Sequence, residues 1–273
     1  MYKIEIPNTN LKVSRLIFGT ASLIKNLSVK NQLYILDCAI QNGFSHFDTA
    51  PLYGFGSTEK LLGDILKKKS KITVTTKVGL YPYHGLNPST YKLIYIRTIQ
   101  KLTRKNFPNL YKPFLDFDIK KAKKSLENSL KNLQRDCIDI YMIHEPCFNQ
   151  INILEWKNFL DNSVKEGKIR YYGLAGNIGN VAKFIEDKKK LFNILQVQDS
   201  LENQEADYLI KKKIILQITY GYFFSSLINK AEKVNHINFL KKILSRNSTG
   251  SIIISSNNPK HIEDLSANVN FIN

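Results

Sequence analysis

Apolar and polar positions run along this chain in two rhythms. Short runs rich in β-branched and apolar residues recur as RLIFGT, SHFDTA, KITVTTK, IDIYMIH, IRYYGLAG, NILQVQ, IILQITYG and SIIISS. Such runs, bounded by polar or glycine-containing stretches, read as buried strands. Between them apolar residues return every three or four positions, and helices are predicted near residues 31–41, 57–68, 118–133, 154–166, 181–188, 205–210 and 237–244. In the third of these, Ala122, Leu126, Leu130 and Leu133 keep a single apolar stripe. Eight strands in strict alternation with helices argue for a parallel sheet, so the predicted fold class is α/β, a (β/α)8 TIM barrel. Ahead of the first barrel strand, YKIEIPNTNLKVSRL alternates around an Asn-rich turn and reads as a β-hairpin.

Length agrees with one such barrel, which takes about 250 residues, so the 273 residues are expected to form a single domain over 1–273. One connection is too long for an ordinary loop: residues 78–117, rich in Tyr, Pro and Asn, follow the third strand. Because that segment leaves the catalytic end of a barrel, it is expected to border the substrate site. The chain ends soon after NPKHIEDLSANV, so the eighth helix is expected to be barely begun and the C-terminus truncated.

The net charge of +17 raises the question of a nucleic-acid partner. Its lysine runs, at 67–69, 120–124, 188–190 and 211–213, fall on or beside predicted outer helices and read as solvated faces. No nucleic acid is expected as a partner. No apolar run is long enough to span a bilayer, and MYKIEIPNTN lacks the features of a signal peptide, which points to a cytoplasmic protein without a membrane partner. Cys38, Cys137 and Cys147 have no metal-ligand spacing and read as reduced thiols; no metal is expected.

Three predicted strands carry a titratable residue at their carboxyl ends: Asp48, Lys77 and His144. Barrel chemistry sits at those ends. A buried carboxylate is costly unless paired, so Asp48 requires a cation, and Lys77 is the available one. Tyr53 follows Asp48 by one turn. A free tyrosine titrates near ~10, which makes it a weak donor at neutral pH. Lys77 is therefore expected to lower the Tyr53 pKa by stabilising the phenolate, with Asp48 holding Lys77 charged. Tyr53 would then be the general acid and base, and His144 would donate a hydrogen bond to the substrate oxygen. Taken singly, each residue has a plainer reading: a strand-end Asp often caps a helix, and a His often sits satisfied in a core.

At these residues the sequence resembles the aldo-keto reductase family, over nearly the whole chain. GFSHFDTAPLYGFGSTEKLLG is similar to the family's first signature, and KSLENSLKNLQRDCIDIYMIHEP to the segment leading to its catalytic histidine. Asp48, Tyr53, Lys77 and His144 match its catalytic tetrad in order. The resemblance implies a carbonyl–alcohol oxidoreductase using NAD or NADP, with the dinucleotide extended across the strand ends rather than held by a GxGxxG loop. By match to the family, Thr20 would approach the cofactor through its backbone beside Asp48, Gln196 would bind the carboxamide, and Tyr220 would stack on the nicotinamide. The family's usual Ser-Asn pair after the fifth strand is Ala175-Gly176 here, leaving Asn177 as the substitute carboxamide contact.

At the adenosine end SSNNPKHIED aligns with the family segment that grips a 2′-phosphate, yet its basic pair stands as Ser255 and His261. Ser256 and Asn257 remain as donors to a phosphate or ribose, and Asp264 could meet the adenine. Without a guanidinium the bidentate phosphate clamp is lost, so the choice between NAD and NADP stays open. Asn258 and Pro259 also read as a helix cap and first helical position. The substrate expected is a small carbonyl compound or sugar, since the chain is similar to bacterial sugar or aldose dehydrogenase-like branches of the family. The alternative, a non-catalytic dinucleotide-binding redox sensor or complex subunit on the same fold, would show a broken tetrad, and this tetrad is intact.

Overall fold

The structure of the protein, a computed structural model, describes residues 1–26, 28–67, 69–83, 112–187, 191–223 and 236–272. It opens with an antiparallel hairpin, β1 (Lys3–Glu5) and β2 (Lys12–Ser14), in which Ile4 faces Val13. The next strands are β3 (Leu16–Gly19), β4 (His46–Asp48) and β5 (Thr73–Val78). A small antiparallel pair, β6 (Leu80–Tyr81) and β7 (Phe114–Leu115), stands outside the main sheet. Then come β8 (Ile138–His144), β9 (Ile169–Gly176), β10 (Ile194–Gln198), β11 (Ile218–Tyr220) and β12 (Ser251–Ile254). Strands β3, β4, β5, β8, β9, β10, β11 and β12 close in that order into a parallel barrel, with β12 pairing back onto β3. This is the predicted (β/α)8 architecture.

The helices between them are α1 (Val29–Gln41), α2 (Ser57–Leu66), α3 (Ile119–Leu133), α4 (Ile153–Lys165), α5 (Ile178–Glu186), α6 (Asp207–Lys211), α7 (His236–Arg246) and α8 (Pro259–Ile272). Side chains fix several starts: Ser28, Asp118, Asn152 and Asn177 each accept the backbone N–H three residues on. Asn177 thereby starts α5 three residues ahead of the predicted 181. The lysines of α3 behave as the charge pattern suggests. Lys120, Lys123 and Lys124 are exposed, and Lys121 pairs with Asp116 at 2.7 Å.

Alternation along the strands divides the core in two. Leu16 and Phe18 of β3, with Tyr141 and Ile143 of β8, join the larger cluster that the helices cover. Ile17, Ile140 and Met142 belong to a smaller cluster, which the hairpin residues Ile6, Leu11 and Val13 complete. A period of two makes this division unavoidable, since neighbouring side chains leave opposite faces of a strand. On β4 and β5 the inward positions are polar instead. His46 and Asp48 flank outward Phe47, while Thr75 and Lys77 alternate with Val74 and Val78. The barrel interior is thus apolar at the hairpin end and charged at the strand ends.

The eighth helix differs from expectation. It runs for 14 residues rather than being barely begun, because Ile262, Ser266 and Val269 form a buried stripe. Ser266 Oγ also donates to Asn42 O at 2.6 Å, tying the helix to the end of α1. Of the long segment 78–117, residues 84–111 lie outside the described residues. What is described is the β6–β7 pair and a tight entry at Gly79, whose φ of +101° and contact with the Phe117 ring leave no room for a side chain. Among the described residues, no helix is long and apolar enough to cross a membrane. All three cysteines are free.

Candidate active site

Asp48 ends β4, and the chain then turns sharply. Tyr53 begins a short 3-10 turn in which Gly54, Phe55 and Gly56 all take left-handed φ values of 62°, 58° and 87°. This turn folds Tyr53 back over the barrel mouth and releases the chain into α2. Lys77, on the neighbouring strand, reaches the same point although it is only 1% exposed. Its ammonium donates to Asp48 Oδ2 at 2.6 Å, to Thr49 O at 3.0 Å and to Tyr53 Oη at 3.4 Å. All three ammonium donors are therefore used. Because Lys77 donates to the phenol oxygen, the phenol's own proton is left free to point elsewhere.

His144, at the end of β8, stands edge-on to the Tyr53 ring with centroids 6.1 Å apart. Its Nδ1 is buried and has no hydrogen-bond partner among the described residues. Asp48, Tyr53, Lys77 and His144 are thus brought together at one barrel mouth, as the sequence predicts.

The electrostatics depart from one expectation. Tyr53 is pushed well above the ordinary tyrosine range, first by burial and then by the charges of Asp48 and Glu145. Burial outweighs the nearby ammonium, so the net shift is upward and the phenol is held protonated. Burial also raises the Asp48 carboxyl and lowers the Lys77 ammonium, each opposed by the other's charge across their 2.6 Å contact. His144 falls well below the usual histidine range through burial and the nearby Lys77 charge, so its ring is neutral. Beneath the pair lies a second buried histidine. His46 sits between Thr73 Oγ1 and Thr75 Oγ1, each 2.7 Å away, and burial followed by Lys77 pushes its pKa down to about 3.

A cleft of about 430 Å³ opens over these groups. Gln196 lines it from the middle of β10 and Tyr220 from the end of β11. Among the described residues, the Gln196 Oε1 and Ser22 Oγ of the lining are buried without a partner, and so is the Oδ1 of Asn257, whose Nδ2 donates to Ser22 O. Orphaned polar atoms of this kind call for a polar ligand. A nicotinamide dinucleotide, with its amide, hydroxyls and phosphates, fits that demand.

The other predicted contact residues are placed less uniformly. Thr20 does not line the cleft: its N–H and Oγ1 both donate to Asp48 O, at 2.9 and 3.0 Å, and its carbonyl accepts from Leu23. It holds the backbone of Asp48, and Ala21 and Ser22 face the cleft instead. Asn177 is also elsewhere, exposed and committed: its Oδ1 caps α5 and its Nδ2 donates to Glu145 at 3.3 Å. Ser255 lines the cleft, with its Oγ donating to Gly19 O at 2.8 Å. Ser256 Oγ donates to Asn258 O and accepts from Asn258 N, and Asn257 Nδ2 donates to Ser22 O. His261 and Asp264 are exposed on α8 and outside the cleft lining, while Asn258 caps that helix through Lys260 N.

Glu145, Lys25 and Phe223 line the cleft and were not anticipated. Glu145 carried the clearest available signal, a charge between the strand-end histidine and Pro146.

A closed parallel barrel with an acid, a lysine, a tyrosine and a histidine at its strand ends defines a class of enzyme-like barrel proteins. Residues 15–215 match the aldo/keto reductase family, and the chain belongs to that family. It is 28% identical over 200 residues to an L-galactose dehydrogenase of Arabidopsis thaliana, covering 69% of this chain and 53% of that protein. The chain thus spans about half the length of that curated relative. In three dimensions it is similar to the holo form of an aldo-keto reductase from Bacillus halodurans, with a TM-score of 0.74 and 18% identity, covering 98% of this chain and 91% of the other. A Klebsiella pneumoniae aldo-keto reductase in complex with NADPH is also similar, with a TM-score of 0.67 and 17% identity over 99% of this chain and 90% of the other.

Proposed function

We propose that the protein is an NAD(P)-dependent oxidoreductase that interconverts a carbonyl and an alcohol, with Tyr53 as general acid and base. The observation that carries this reading is the direction of one hydrogen bond. Lys77 donates to the Tyr53 oxygen, so the phenol keeps its proton for a group in the cleft. As that proton leaves, the phenolate forms beside an ammonium already in place, which stabilises the charge as it develops. Asp48 and Thr49 O fix that ammonium. Neutral His144, edge-on to Tyr53, orients the substrate oxygen between them by hydrogen bonding.

The bound dinucleotide supplies or accepts the hydride. Gln196 and Tyr220 would hold its nicotinamide end, and Ser22, Lys25 and Ser255 the remainder along the cleft, with Asn257 bonded to Ser22 O outside the lining. Either NAD or NADP is compatible with these residues; the Klebsiella relative binds NADPH. A sugar or other polyhydroxy carbonyl is the proposed substrate class, in line with the name of the Arabidopsis relative. We take the chain as one barrel domain acting in a reducing cytoplasm, a reading its three free cysteines support. The test is side-by-side titration with NADH and NADPH, then a screen of aldehydes and sugars with whichever binds. Oxidation of the cofactor coupled to one carbonyl class is expected; absence of dinucleotide binding would contradict the reading.

A further inference from the structure

Glu145 lines the cleft in a strained conformation, and its carboxylate forms no ion pair among the described residues. It takes a φ of 48°, in the left-handed region that a non-glycine residue with a long side chain rarely adopts. Its N–H is held by Ala175 O at 2.7 Å. The carboxylate is held just as firmly: Oε2 accepts from Asn180 Nδ2 at 2.6 Å, Asn177 Nδ2 at 3.3 Å and Asn177 N at 3.4 Å. Every one of those donors is neutral. The charge is therefore fixed in place without being cancelled, and Glu145 has no ion pair among the described residues.

Gly176 makes the space. A Cβ at that position would come within 2.9 Å of Glu145 Oε2 and 3.3 Å of its Cδ. Gly176, in the second place of the expected Ser-Asn pair, is thus the partner of a carboxylate, which stands where a side chain from position 176 would otherwise be. Around it lie the other cleft charges. Asp48 and Lys77 compensate each other at 2.6 Å, and Lys25 lies in the 3-10 turn after β3. Burial raises both cleft tyrosines, Tyr53 and Tyr220, and the charge of Glu145 adds to the rise in each, with a hydrogen bond to Tyr220; the same charge favours the Lys77 ammonium.

An oxidised nicotinamide ring carries a positive charge, and a reduced one carries none. A fixed carboxylate therefore interacts by charge with one redox form only. We propose that Glu145 sets the relative affinity of the protein for the two forms of its dinucleotide, favouring the oxidised, cationic ring. The inference rests on the proposed function, because it needs a nicotinamide at the end of the cleft lined by Gln196 and Tyr220. It implies that the bound reduced cofactor is made a stronger hydride donor, since loss of hydride creates the cation the carboxylate stabilises.

The test is equilibrium titration of both redox forms of the better-binding dinucleotide against wild type, Glu145→Gln and Glu145→Asp. Glu145→Gln should weaken the oxidised form about tenfold and leave the reduced form within about threefold. Glu145→Asp, which keeps the charge, should retain most of the wild-type ratio. Should the Gln variant fail to fold, Glu145→Ala carries the same expectation. An unchanged ratio, or an equal loss for both forms, would overturn the inference while leaving the functional reading intact. A wild type that binds neither form would overturn both.

Discussion

The two ends of the cleft are built differently. At the ends of β4, β5 and β8, side chains hold one another: Lys77 bridges Asp48, Thr49 and Tyr53, and His144 abuts the Tyr53 ring. Where β12 runs into α8, side chains hold local backbone instead. Ser255 bonds Gly19 O, Ser256 bonds Asn258 and Asn257 bonds Ser22 O, while His261 and Asp264 stand in solvent. The first end is buried and fixed before any ligand arrives, so electrostatic effects there are strong. At the second, Ser255, Ser256 and Asn257 are half-buried and His261 and Asp264 exposed, so contacts with a ligand there compete more with water. Under the proposed function, chemistry would belong at the first end and cofactor preference at the second.

Substitutions should therefore differ in effect by orders of magnitude between the two ends. Lys77→Met should lower turnover by ~10²–10⁴ and destabilise the fold by about 3–5 kcal/mol, because it leaves Asp48 buried without its cation. Steady-state kinetics and chemical denaturation check the two parts. A variant with wild-type rate and stability would show that the buried pair organises nothing.

A smaller effect is expected beneath the pair. His46 is held to about 3 by burial and Lys77, against an unfolded value near ~6.5. Between those values the unfolded chain binds the extra proton, so stability is complete above ~6.5 and falls as pH drops toward 3, by up to ~1.4 kcal/mol per pH unit. His144, also lowered by burial, acts in the same direction. Melting temperatures of His46→Gln should show a shallower acid slope than wild type between pH 6 and 4. Identical slopes would mean that His46 is not the buried neutral group described.

The smallest effect belongs to the second end. His261→Arg should shift preference toward NADPH by about tenfold, the worth of one added bond of ~1.4 kcal/mol. Competitive titration with NADH and NADPH measures it. No shift would place the 2′-phosphate away from α8.

The same contrast explains what the sequence made legible. Strand ends are points of fixed register, so Asp48, Lys77 and His144 could be placed from apolar runs alone, and Tyr53 from the turn that follows. Periodicity also gave the hairpin and the barrel order. Contacts that depend on competing local hydrogen bonds were not legible. Thr20 and Asn177 both carry suitable atoms, but backbone demands at Asp48 and at the α5 terminus claim them first. The Tyr53 pKa was misjudged because pairing charges are visible in a sequence and desolvation is not. The length of α8 was missed because one member of its buried stripe, Ser266, is polar.

The most direct measurement of the central claim is a single turnover with Tyr53→Phe, with dinucleotide binding titrated in the same samples. Removing one hydroxyl from the pre-formed end should leave binding within about threefold while cofactor oxidation falls by at least the ~10²–10⁴ expected of a lost general acid. Oxidation at the wild-type rate in that variant, with the same carbonyl substrate, would contradict the account.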